Sequence, residues 1–266
     1  MLLPVRDPGT LHWLAQLHHE EARNRWEAAE ALGRHVGKAG VAEVLVEALA
    51  DPHPFVRWQA AASLSRSQGT GTFSLLQTAL SSKKIRQRSA AADALGQLGD
   101  RRATDILCRL LSSRSAEVRR SAAEALAHLG DPCAFSPLRS VLGDQDALVR
   151  RAVVGAMGAL RNPEAIPALV PMLHDPDPLV RASVAGTLGK IGSRHAASSL
   201  RQALDDPDLG VRWQTMRALS LVGSAEDVPA LEALLTDHTE IFGSSIAAAA
   251  QSAIRAIQNS RSEHVN

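Results

Sequence analysis

The side chains that could do chemistry in this 266-residue sequence are few and scattered. Of ten histidines, one is followed by glutamate, at His19-Glu20. A multi-ligand transition-metal site needs more than one such pair. His12, His18 and His19 read as a solvated helix surface. Cys108 and Cys133 match no metal or redox spacing and read as two reduced structural thiols. Glycines fall inside helices or in helix-ending turns, so no phosphate-binding loop is present. Ser, His and Asp occur together in no nucleophile motif. These residues predict neither a catalytic group, a metal nor a cofactor. Arginine and tryptophan are different: they keep register. Arginine forks carboxylates bidentately, and Trp and Arg dominate binding energy at protein interfaces.

The register comes from an internal repeat. Leu49, Leu80, Leu111, Leu142, Leu173, Leu204 and Leu235 are spaced by 31 residues, and Leu17 precedes them by 32. Eight residues after the first seven of these eight leucines stand Arg25, Arg57, Arg88, Arg119, Arg150, Arg181 and Arg212. Seven further on stand Leu32, Leu64, Leu95, Leu126, Met157, Leu188 and Leu219. A fixed period of this length is the signature of stacked supersecondary units. Each period reads as helix A around the leucine, then helix B, as in EVRRSAAEALAHLG. Gly99-Asp100 and Gly130-Asp131 mark the closing turns. In the link Asp175-Pro176-Asp177-Pro178, Asp177 can cap helix B and Pro178 fits its first turn.

The period predicts an all-α, right-handed α-solenoid of about eight helix pairs. The expected layout is a leader over residues 1–9, one repeat domain over 10–258 and a disordered tail over 259–266. The units fall at about 10–38, 39–69, 70–100, 101–131, 132–162, 163–193, 194–224 and 225–258. The last departs from the pattern at Phe242 and Gly243 and reads as a cap, because a terminal repeat has no following neighbour.

A helical wheel at 100° per residue places Val118, Ala122, Ala125 and Leu129 in the core. Arg120 and Ala127 then centre the outward face, with Ala123 and Glu124 beside them. The in-register arginines lie at the edge of that face. They read as a structural ladder, bridging repeats through the Asp-rich links. The next column holds Trp26, Trp58, Ser89, Arg120, Arg151, Ala182 and Trp213, so three of four tryptophans share one outward position. They either shield the ladder or await a partner. Gly158 and Gly189 sit where other repeats carry small residues and are given no role. Gly155 and Gly186 replace Glu30, Ala62, Asp93, Glu124 and Arg217 of their column. Glycine inside a helix costs about 1 kcal/mol relative to alanine. The expected result is a bare floor bounded by Arg120, Arg151, Trp213 and Arg217. With Trp58 and Trp26, these residues make up the predicted partner surface.

Composition sets limits. The 29 basic and 28 acidic residues nearly balance, which argues against a general nucleic-acid binder. No stretch approaches the ~20 apolar residues of a membrane span. Pro4, Arg6 and Asp7 interrupt any signal-peptide core. The expectation is a cytoplasmic protein.

The segments DPDPLVRASVAGTLGKIG, AEVRRSAAEALAHLGD and PFVRWQAAASL resemble the HEAT-like repeats named after phycobilisome lyases. The resemblance covers nearly the whole chain. It implies a HEAT-type solenoid whose B helices line a concave groove. The family includes bilin lyase subunits, iron-dependent deoxyhypusine hydroxylases and plain adaptors. The hydroxylases carry repeated His-Glu pairs at the start of B helices. Here those positions read Arg-Trp, Arg-Ser, Arg-Arg and Arg-Ala, so hydroxylase activity is rejected. The favoured reading is a non-catalytic scaffold holding a protein partner. The alternative is a phycobilin lyase subunit or chromophore chaperone, in which Arg151, Trp213 and Arg217 would grip a linear tetrapyrrole.

Overall fold

The computed structural model describes residues 8–67, 70–241 and 243–262. The chain divides into two units, up to Pro137 and from Leu138. In the first, the A helices are α1 (Pro8–Gln16), α3 (Val41–Ala48), α5 (Thr70–Ala79) and α7 (Thr104–Leu110). They alternate with the B helices α2 (Ala22–Gly33), α4 (Pro54–Ser65), α6 (Ile85–Leu98) and α8 (Ala116–Leu129). The short α9 (Phe135–Ser140) carries the boundary. In the second unit the B helices are α10 (Ala147–Leu160), α12 (Pro178–Ile191), α14 (Leu209–Val222) and α16 (Ile246–Ser262). Between them lie the A helices α11 (Ile166–Leu169), α13 (Ala197–Gln202) and α15 (Val228–Glu232). Both units are therefore stacks of helix pairs, and the fold is an all-α solenoid.

The two apolar columns form the core. Leu49 and all seven members of the second column, from Leu32 to Leu219, are fully buried. Leu235 is only half-buried, because α15 gives way to turns after Glu232. Capping fixes the ends of the elements. Asp146, Asp177 and Asp208 accept backbone N–H groups at the starts of α10, α12 and α14. Pro178 occupies the first turn of α12, where its missing N–H costs nothing. A second cap series has the same 31-residue spacing. Asp100, Asp131, Asn162, Ser193 and Ser224 each accept an N–H at a short 3₁₀ turn that opens an A helix. The Gly-Asp turn thus closes one pair and starts the next. Gly99, Gly130 and Gly192 end B helices in the left-handed region, where glycine has no Cβ penalty. Arg161 takes the same conformation at φ 50° with a full side chain.

Several expectations need correction. Ala123 is fully buried, not outward. Within each unit the successive B helices pack against one another, so the free face is narrower than a single-helix wheel implies. Gly158 and Gly189 are close-packing positions. A Cβ on Gly189 would lie 2.8 Å from Ala218 Cα, and one on Gly158 would lie 3.1 Å from Thr187 Cγ2. Gly96 does the same in the first unit, at 2.6 Å from Ala125 Cα. The last helix runs to Ser262, past the expected boundary at 258, and helix α1 begins at Pro8, inside the expected leader. A two-residue antiparallel ladder pairs Glu240 with Ser245 and Ile241 with Ser244, with Gly243 at φ 76° in its turn. Phe242 lies outside the described residues.

Candidate partner-binding face

The arginine column makes a repeated contact. In each of the seven repeats that carry the arginine, its Nη1 group donates to a backbone carbonyl six residues earlier. Examples are Arg57 to Asp51 O, Arg88 to Ser82 O and Arg119 to Ser113 O, at 2.7–2.8 Å. Nε and Nη2 of three members, and Nη2 alone of a fourth, turn to the aspartate of the next link. Arg25 forks Asp51 at 2.7 and 3.0 Å, Arg150 forks Asp175 at 2.7 Å twice, and Arg181 forks Asp206 at 2.7 and 2.9 Å. Arg212 reaches Asp237 at 3.4 Å. The link aspartate also accepts the N–H two residues on, as Asp175 does from Asp177. One carboxylate therefore shapes its own link and holds the preceding repeat. Burial pushes the Asp175 and Asp206 carboxyls up, but the arginine hydrogen bonds, the backbone N–H groups of Asp177 and Asp208 and the nearby guanidinium charges together outweigh it and hold both below the usual range. Ser82 and Ser113 stand at the corresponding positions for Arg57 and Arg88. Their hydroxyls accept the link N–H groups of Lys84 and Ser115 but offer no charge.

The outward columns line two hollows, one in each unit. In the first unit, α4, α6 and α8 enclose about 300 Å³. Trp58 stands there 58% exposed, beside Arg57, Arg120, Asp93, Glu117 and Glu124. Burial pushes the Asp93 carboxyl up to about 6, against the Ser121 hydrogen bond that lowers it. Arg120 lies 3.7 Å from Glu124. In the second unit, α10, α12 and α14 enclose about 640 Å³. Arg151, Gly155, Gly186 and Arg217 all line this second hollow, joined by Leu179, Lys190 and Leu221. A Cβ on Gly155 would meet nothing within 4 Å, and one on Gly186 only Gln214 Oε1 at 3.8 Å.

The predicted surface residues therefore fall in different places. Arg120 and Trp58 belong to the first unit's hollow, whereas Arg151, Gly155, Gly186 and Arg217 share the second. Trp213 and Trp26 are half-buried on α14 and α2, and neither is among the residues lining these hollows. Leu179, Leu221 and Lys190 were missed because a single-helix wheel cannot show what neighbouring helices leave uncovered. The thiols are poor nucleophiles. Burial raises the Cys108 pKa, and the hydrogen bond to Asp131 raises that of Cys133. Among the described residues no three His, Cys, Asp or Glu side chains could hold a metal ion. No helix among them is long and apolar enough to cross a membrane.

Comparison with known proteins agrees with this architecture. The solved structure of the Escherichia coli protein YibA is 19% identical, with a TM-score of 0.65 over 92% of this chain and 91% of that one. An engineered protein is 23% identical, with a TM-score of 0.53 over 94% and 78%. The complex of CpcE and CpcF of phycocyanin lyase from Nostoc is 23% identical over 96% and 97%, with a TM-score of 0.43. No curated protein sequence matches significantly. The family model for HEAT repeats matches residues 10–86, 68–124, 109–184 and 166–255. With four overlapping matches along the stacked helix pairs described above, the chain belongs to the HEAT-repeat family.

Proposed function

We propose that the chain is a non-catalytic adaptor that holds a protein partner on the exposed face of its B helices, centred on α10, α12 and α14. One observation carries this reading. Two adjacent helices bear glycine on an outward face where a side chain would fit freely. Packing does not require those glycines, unlike Gly96 and Gly189. Each costs helix stability and keeps open a hollow rimmed by exposed leucines and cations.

The test is a double variant, Gly155→Gln with Gly186→Gln, which fills the floor without adding charge. Affinity capture from the native cell is run with the wild-type and variant chains. The expected result is a partner recovered with the wild type and lost with the variant, at undiminished helicity and a melting temperature no lower than that of the wild type. Equal recovery of the same partners by both chains refutes this placement of the docking face.

A further inference from the structure

We propose that the hollow over α10, α12 and α14 takes an acidic segment of a protein partner, with carboxylates flanking one or two apolar side chains. This rests on the adaptor reading and adds the partner's chemistry. Three cations rim the hollow, Arg151, Lys190 and Arg217, and no Asp or Glu lines it. All three are exposed. None forms an ion pair with any described residue, unlike the ladder arginines one position earlier. Their guanidinium and ammonium groups are thus available to anions, and arginine suits a planar carboxylate best.

The apolar component comes from Leu179 and Leu221, 57% and 68% exposed. They line the same hollow as the bare floor of Gly155 and Gly186. An apolar side chain laid between them would cover area that now faces water. Its neighbouring carboxylates would come within reach of the rim. A hollow of about 640 Å³ accommodates more than one side chain.

The repeat itself supplies the contrast. The column that contains Gly155 and Gly186 reads Glu30, Ala62, Asp93 and Glu124 in the first unit, and goes on to Arg217 and Ala248 in the second. At one register position the face is acidic in one unit, then bare and basic in the next. The first unit's hollow correspondingly holds Asp93, Glu117 and Glu124. Two arginines line it too, but Arg120 stands against Glu124 and Arg57 is turned to the Asp51 and Pro52 carbonyls. Like charges would repel an acidic segment from the first hollow, so the charge pattern selects the second. Nucleic acid fits less well, because no aromatic side chain lines the second hollow to stack a base.

The test uses the full chain and four fluorescein-labelled probes read by anisotropy. They are an amphipathic leucine–glutamate peptide, the same peptide with lysine for glutamate, an oligoglutamate, and a single-stranded oligonucleotide. The leucine–glutamate peptide should bind at least about tenfold tighter than each of the others, a difference of about 1.4 kcal/mol. The triple variant Arg151→Glu, Lys190→Glu, Arg217→Glu should lose that preference and gain affinity for the lysine peptide. Its helicity should be unchanged, since all three side chains are exposed and unpaired. The proposal is overturned if the variant binds the glutamate peptide as well as the wild type does. It is equally overturned if oligoglutamate or the oligonucleotide binds as tightly, or if no probe binds. If the lysine peptide binds instead, and Gly155→Gln with Gly186→Gln abolishes that binding, the adaptor reading stands and the acidic chemistry falls. If no peptide binds and captured partners survive the double glycine variant, the adaptor reading falls as well.

Discussion

Alanine at Gly155 adds one methyl group to α10 at a point where a Cβ meets no atom within 4 Å. The folded helix gains the full propensity difference between alanine and glycine, about 1 kcal/mol, with no packing penalty. Alanine at Gly186 behaves alike, since Gln214 Oε1 at 3.8 Å is an ordinary contact. Gly189 is one helical turn along the same helix, and there the sign reverses. Its Cβ would sit 2.8 Å from Ala218 Cα, whereas an ordinary contact begins at 3.4 Å, so α12 and α14 must part by about 0.6 Å. At Gly96 the distance to Ala125 Cα is 2.6 Å and the required movement is about 0.8 Å. Overpacking of this kind costs about 1–3 kcal/mol, and the propensity gain offsets part of it. The Gly189→Ala and Gly96→Ala variants should therefore lose stability, by about 1–2 kcal/mol for Gly96→Ala. Gly155→Ala should raise the melting temperature by about 2–4 °C. Urea and thermal unfolding followed by far-ultraviolet circular dichroism measure all four. Should Gly155→Ala destabilise, or Gly96→Ala stabilise as much as Gly155→Ala, the division of these glycines into open and close-packed is wrong.

That division marks how far the sequence could be read. The 31-residue spacing of leucine and arginine was enough to pair the helices and place the buried columns, because burial within one pair follows from helical period. Gly155 and Gly186 were legible too, since glycine replaces charged residues at their register position. Gly158 and Gly189 were not. Alanine and serine share their column, and only the approach of the next helix shows that a methyl group would collide with Ala218 at Gly189 and crowd Thr187 at Gly158. Ala123 failed for the same reason: a wheel drawn for one helix ignores the flanks that its neighbours cover. The rim residues Leu179, Lys190 and Leu221 come from two helices, and no spacing within one repeat brings them together. Asp227 had no sequence signal either. It is fully buried, accepts from Ser224 N and binds Arg201 Nε at 2.8 Å, yet it sits in an ordinary acidic stretch of α15's approach.

Further outcomes test the ladder, the caps and the raised Asp93 carboxyl. Asp206→Ala strands the Arg181 guanidinium, whose side chain is only 13% exposed, and should cost about 3 kcal/mol in chemical denaturation; a loss near zero would show that the pair does not hold the repeats together. Arg161→Gly removes a non-glycine residue from the left-handed region at φ 50° and should stabilise by about 1 kcal/mol in the same assay. The pH dependence has two limbs of opposite sign. Asp175 and Asp206 have lowered pKa values, so their contribution is present above the unfolded carboxylate value and is lost as pH falls below about 4. Asp93 is raised to about 6, chiefly by burial. It binds its proton more tightly when folded, so it opposes folding at neutral pH, and stability should rise as pH drops from 7 towards the unfolded value. Asp93→Asn should remove that rise and leave the acid limb intact. Nuclear magnetic resonance of the Asp93 carboxyl should show a midpoint near 6, moved higher by Ser121→Ala, which deletes a hydrogen bond to the charged form. A midpoint at the ordinary value for aspartate would mean that α6 and α8 do not desolvate this group.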